Sequence, residues 1–210
     1  MKTSAQGRAF IQKFETLSLV AYPDPKSGGD PWTCGYGITG SDICKGTTWT
    51  LPYATQRFET ELAQREAIIN REVKVPITQG MFDALVSILW NVGYGTALKD
   101  GIFRLKNGLP STLIRLLNAG DYKGAAEQFE RWVSPGSNVE NGLRRRRKGE
   151  REMFLGDGMP HVPPLPMPVP APAQPYVPIA IPQAVTKVPA PKVSSFMDML
   201  RQLFALLRPR

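Results

Sequence analysis

The chain has 210 residues, 42% of them hydrophobic and 21% charged, which fits one domain with an appendage or two small domains and argues against wholesale disorder. A net charge of +8 and a pI near 9.7 point to a polyanionic partner: nucleic acid, anionic lipid or an acidic wall polymer. Residues 1–13 lack the apolar segment of a secretory signal, and no window reaches the ~18 apolar residues of a spanning helix, so neither is expected.

In chain order, Ser4 to Leu19 carries Phe10, Ile11, Phe14 and Leu17 at helical spacing and predicts a first helix. Residues 22–50 are rich in Gly, Pro, Asp and Thr, the composition of a small twisted β region with turns. Cys34 and Cys44 lie within it. They could pair across a ten-residue loop, but two cysteines make no disulfide framework and free thiols are expected. Thr55 to Val73 mixes Phe58, Leu62, Ile68 and Ile69 with many charges and predicts a surface-spanning helix. Thr78 to Val92 is apolar nearly all round, so it should be central and buried. Ser111 to Asn118 and Tyr122 to Val133 predict two short helices, and Leu143 to Phe154 the last. The expected fold class is α+β, mostly α.

The composition changes sharply near Gly158. Residues 159–192 contain twelve prolines, too many for helix or central strand, so 159–193 reads as an extended, semi-rigid linker. Beyond it, Ser194-Ser195 caps an expected helix from Phe196 to Leu207, with Phe196, Met199, Leu200, Leu203, Leu206 and Leu207 on one broad face. Such a helix is too short to span a bilayer; it suits a membrane interface, a groove, or packing on its own domain. Three parts follow: a globular domain at 1–158, the linker at 159–193, and a basic amphipathic tail at 194–210 bearing Arg201, Arg208 and Arg210. The single histidine, His161, lies in the proline-rich stretch far from either cysteine, so no metal or other cofactor is expected.

The densest chemistry is in the first forty residues. Glu15 lies near the end of the first predicted helix, with Phe14, Leu17 and Leu19 around it as an apolar wall that favours a protonated carboxyl, as a general acid requires. Asp24 follows between Pro23 and Pro25 in a stiff loop. Thr33 precedes Cys34-Gly35-Tyr36-Gly37, a glycine-rich turn, and its hydroxyl could orient a water. Singly, these are an exposed helix Glu, a turn Asp and a strand Thr. Together, two carboxyls and a hydroxyl suit glycosidic hydrolysis, one acid donating a proton and the other activating water.

Glu15, Asp24 and Thr33 with Gly35-Tyr36-Gly37 resemble the Glu-Asp-Thr triad of the phage-type lysozymes, glycoside hydrolase family 24. Further blocks agree in order: Gln79 to Gly95, Ser111 to Trp132, and Gly142 to Arg147 with Glu150 and Phe154. The resemblance spans roughly residues 5–155. It implies a small β-containing lobe beside a larger helical lobe, and hydrolysis of the β-1,4 bond between N-acetylmuramic acid and N-acetylglucosamine in peptidoglycan. It also implies Glu15 as general acid, Asp24 as the base that activates water, and Thr33 as its helper. A carboxyl separation of about 6.5–9.5 Å would suit inversion, and about 5–5.5 Å a covalent intermediate on Asp24.

Two departures stand out. The Asp24-to-Thr33 spacing is three residues longer than the commoner form, through Lys26-Ser27-Gly28-Gly29-Asp30, so Asp30 is a rival second carboxylate. Ile38 stands where many relatives place a structural His. In the run Arg144 to Lys148, some arginines are expected to pair with Glu150 and Glu152, and one or two to hold substrate carboxylates. Trp90 is expected in the core. The expectation is a monomeric endolysin without a specific nucleic-acid target, held in the host cytoplasm until a holin releases it to the periplasm and wall. Its tail would touch anionic membrane or lipopolysaccharide. The alternatives are a lytic transglycosylase on the same bond, or a non-catalytic wall- or nucleic-acid-binding module on the same scaffold.

Overall fold

A computed structural model describes residues 1–24, 27–156 and 158; the expected linker and tail helix lie outside them. All described residues belong to one compact unit, Met1–Leu165. The architecture is α+β and mostly helical: α1 (Ala5–Phe14), strands β1 (Ser18–Tyr22), β2 (Thr33–Gly35) and β3 (Ile38–Thr39), then α2 (Leu51–Glu72), α3 (Gln79–Val92), α4 (Thr112–Asn118), α5 (Tyr122–Glu127) and α6 (Glu140–Gly156).

The core is built on α3. Eleven of its fourteen residues are buried, and α1, α2 and α6 pack around it, as its all-round apolar sequence requires. Trp90 is buried as expected, against the Phe58 ring at 5.0 Å and beneath the Arg65 guanidinium at 4.3 Å. Ser4, Thr50, Thr78, Ser111 and Asp121 each cap a helix, accepting a backbone N–H in its first turn.

The three strands form an antiparallel sheet in the order β1-β2-β3. Ser18 pairs with Gly35 and Tyr22 with Thr33, so β1 carries extra residues between two fixed points and bulges. A second edge is closed by residues 47–49, where Ala21 N–H donates to Thr47 C=O at 2.8 Å and Trp49 N–H to Leu19 C=O at 2.8 Å. Strand pairing therefore begins at Ser18, and the first helix ends at Phe14 instead of running to Leu19. Other boundaries also shift. The second helix opens at Leu51 with Pro52 in its first turn, where a missing N–H costs nothing. The helix expected over Tyr122–Val133 breaks into α5 and a 3-10 turn, Phe129–Arg131.

Both ends of α1 are anchored to other elements by charge. At its start, Ser4 donates its N–H (3.0 Å) and hydroxyl (2.5 Å) to the buried Asp83 carboxylate of α3. That carboxylate lies where the helix dipole is positive. Its close approach also needs Gly7, since a Cβ there would stand 2.6 Å from Asp83 Cγ. Upstream, the buried Glu66 carboxylate of α2 accepts Thr3 N–H at 2.8 Å and pairs with Lys2 at 2.8 Å.

Candidate active site

Glu15 is the first residue past α1, and its N–H closes the helix on Ile11 C=O at 3.0 Å. Its side chain is 17% exposed. The two carboxyl oxygens have different neighbours. Oε1 accepts a hydrogen bond from Arg146 Nη1 at 2.5 Å. Oε2 lies over Gly37, where a Cβ would stand 2.6 Å away. Gly37 also has φ +73°, so both backbone and contact require glycine. The wall expected around Glu15 is not wholly apolar. Leu17 lies between α1 and β1, Leu19 belongs to β1, and a guanidinium, 5.5 Å from the Phe14 ring centre, stands against the carboxyl.

The β region brings up the other residues. Tyr22 and Thr33 are register partners across β1 and β2. Burial, then the Glu15 carboxylate and Cys34, push the Tyr22 phenol above its usual range, against the opposing effect of the Thr33 side chain. Asp24 is half-buried two residues past Tyr22. Its backbone closes the loop, with Asp24 N–H donating to Gly29 C=O at 3.0 Å and Gly28 N–H to Asp24 C=O at 2.8 Å. Asp30, the rival carboxylate, is exposed. Ile38 is buried and Gly35 packs against Trp49, so at Ile38 an apolar contact fills the place of a histidine.

Behind Glu15 stands a charged cluster on α6 and α3. Arg146 donates Nε to Glu150 Oε1 at 3.2 Å and Nη2 to Ser87 C=O at 3.2 Å. Ser87 Oγ donates to the same Glu150 oxygen at 2.6 Å. Arg147 Nε is 3.1 Å from Glu150 Oε2, and its Nη2 donates to Asn91 Oδ1 at 2.9 Å. The rest of the basic run faces outward: Arg144 pairs with Glu140 at 2.6 Å, Lys148 lies 3.9 Å from Glu152, and Arg145 is exposed. The pairing with Glu150 agrees with the i,i+4 spacing. The engagement of Arg146 with Glu15, 131 positions away, has no signal in local sequence.

Both cysteines are free, Cys34 buried and Cys44 exposed. Among the described residues no group of three or more His, Cys, Asp or Glu side chains is placed to hold a metal. A concavity of about 1240 Å³ between α1 and α6, lined by Phe10, Phe14 and Met153, includes none of Glu15, Asp24 and Thr33.

Residues 12–150 match the Phage lysozyme family. An endolysin of Acyrthosiphon pisum secondary endosymbiont phage 1 is 34% identical over 158 residues, 73% of this chain and 98% of that protein. An endolysin of Bacillus phage B103 is 37% identical over 158 residues, 74% of this chain; there the chain spans about half the relative's length, 54%. Among solved structures, the endolysin from Escherichia coli O157:H7 phage FAHEc1 superposes with a TM-score of 0.59 at 35% identity, covering 76% of this chain and 97% of that one. The chain belongs to the phage lysozyme family.

Proposed function

We propose that the protein is an endolysin that hydrolyses the β-1,4 bond between N-acetylmuramic acid and N-acetylglucosamine in peptidoglycan. Glu15 is the general acid that protonates the leaving glycosidic oxygen. Asp24 is the base that activates water, and Thr33 orients that water. The observation that carries this reading is the setting of Glu15: a carboxyl held at the end of a helix, one oxygen on Arg146 and the other against Gly37. A fixed carboxyl delivers its proton along one direction, which is worth more to the reaction than a mobile one. Asp24 is favoured over Asp30 because it is half-buried, two residues past Tyr22, while Asp30 is exposed.

A lytic transglycosylase needs only the acid, and the presence of Asp24 and Thr33 favours water as the acceptor. Product mass decides. Purified peptidoglycan digested by the protein should yield muramic ends carrying added water, and the yield should collapse in Asp24→Asn but persist in Asp30→Asn. Anhydro-muramic ends, or full activity in Asp24→Asn, would contradict the assignment.

The same proposal extends to setting and partners. The protein acts as a monomer, accumulates in the host cytoplasm, and reaches the wall when a holin opens the membrane. Among the described residues no helix is long and apolar enough to cross a membrane. Residues 159–193 act as spacer, and 194–210 as the contact with anionic lipid or lipopolysaccharide. The net charge of +8 supports an anionic target.

A further inference from the structure

Arg146 serves two carboxylates at once. Its Nη1 holds Glu15 at 2.5 Å, its Nε holds Glu150 at 3.2 Å, and its Nη2 rests on Ser87 C=O at 3.2 Å and Ser87 Oγ at 3.4 Å. Arg146, Glu150 and Arg147 are all buried. Arg147 stands 3.1 Å from Glu150 Oε2, yet the two are not aligned for a hydrogen bond, and Arg147 Nη1 has no partner. Arg147 therefore acts on Glu150 through its charge.

We propose that Glu150 is a positioning residue for the general acid: it gives Arg146 a counter-charge, so that Glu15 can take and release its proton without stranding a buried cation, while Arg147 limits how far that counter-charge reaches. This rests on the reading of Glu15 as the acid. With all four groups ionised, Glu15, Arg146, Glu150 and Arg147 sum to zero. With Glu15 protonated, one positive charge is in excess; without Glu150 the excess would be two. An uncompensated buried charge is strongly unfavourable, so loss of Glu150 penalises the protonated acid, and loss of Arg147 favours it.

The surroundings leave this balance to α6. From β1, the Tyr22 phenol feels the charges of Glu15 and of Cys34 in β2. From α3, only the neutral Ser87 and Asn91 reach the cluster. Asp24, in the loop after β1, is the other half-buried carboxyl of the site. Burial lifts the Glu150 carboxyl above its usual range, outweighing Arg147, Arg146 and Ser87, which favour its charged form. Burial likewise brings Arg147 down to about 10, opposed by the charges of Glu150 and Glu15.

The test is the pH dependence of kcat/KM on purified peptidoglycan for the full chain and three variants. The alkaline limb of that profile follows loss of the acid's proton. In Glu150→Gln the limb should move to lower pH by about one unit, and in Arg147→Gln to higher pH by a similar amount. Ser87→Ala, which removes one bond that keeps Glu150 charged, should move it down by less, and stands in if Glu150→Gln does not fold. Opposite shifts from neighbours on one helix are not what a structural role alone produces. Unmoved limbs, or limbs that move the same way in Glu150→Gln and Arg147→Gln, overturn the proposal. If Glu15→Gln is inactive while those limbs stay put, only this inference fails; if Glu15→Gln is active, the acid assignment itself fails.

Discussion

Gly37 is where backbone geometry and chemistry meet. A side chain there would meet Glu15 Oε2 at 2.6 Å, on a backbone at φ +73° that L-residues rarely adopt. Gly37→Ala should lower turnover of purified peptidoglycan by about 10²-fold, the usual consequence of displacing a catalytic group by an ångström. Its melting temperature should fall much less steeply than its activity. Wild-type turnover in this variant would mean that the position of Oε2 does not matter. Arg146→Lys keeps the charge but loses the planar fork that reaches Glu15, Glu150 and Ser87 together. It should reduce activity by about tenfold or more, with the folded circular-dichroism signal retained. The proposed triad, Glu15, Asp24 and Thr33, was legible as a candidate group through its combined spacing before Gly35-Tyr36-Gly37, although no member is distinctive alone. Arg146, Ser87 and Tyr22 were not, because their roles come from approaches between distant segments that no local spacing encodes.

Among the elements, α1 shows why the chemistry depends on two anchors. Asp83 fixes its start and Arg146 the residue that ends it, so the acid is held from both sides. The run before it is tied to Glu66. Burial raises that carboxyl, but the Lys2 ammonium and the Thr3 N–H outweigh it and hold the group below its usual range. The sign follows directly. A carboxyl lowered in the folded state stabilises above its unfolded value and loses that contribution as pH falls through the folded value. Glu66→Gln should therefore be less stable to urea than wild type at pH 7, and the gap should narrow below about pH 4. A gap independent of pH would remove the charge from this account. Element types were legible from periodicity, above all α3. Boundaries were less so: Leu17 and Leu19 read as the end of a helix until strand pairing with β2 and residues 47–49 claimed the segment from Ser18. Phe129–Arg131 close on themselves in a single 3-10 turn before Trp132, a stretch that periodicity alone joins to α5.

For the whole molecule, membership of the phage lysozyme family fixes the scaffold, and the division of labour along the chain is a proposal with its own test. If 1–158 is a complete catalytic domain, a chain ending at Gly158 should fold cooperatively and digest purified peptidoglycan at the full-length rate. If 194–210 meets anionic lipid, that truncated chain should lose sedimentation with phosphatidylglycerol vesicles at low salt. Equal vesicle binding by both chains would refute the role of the tail and leave the enzyme reading untouched. The central claim is that Glu15 delivers the proton in glycosidic hydrolysis, and the most direct test replaces only its ionisable oxygen. Turbidity loss of purified peptidoglycan should be abolished in Glu15→Gln, with a melting temperature close to wild type, while wild type releases fragments with water-added muramic ends. Turbidity loss at the wild-type rate in Glu15→Gln would contradict it.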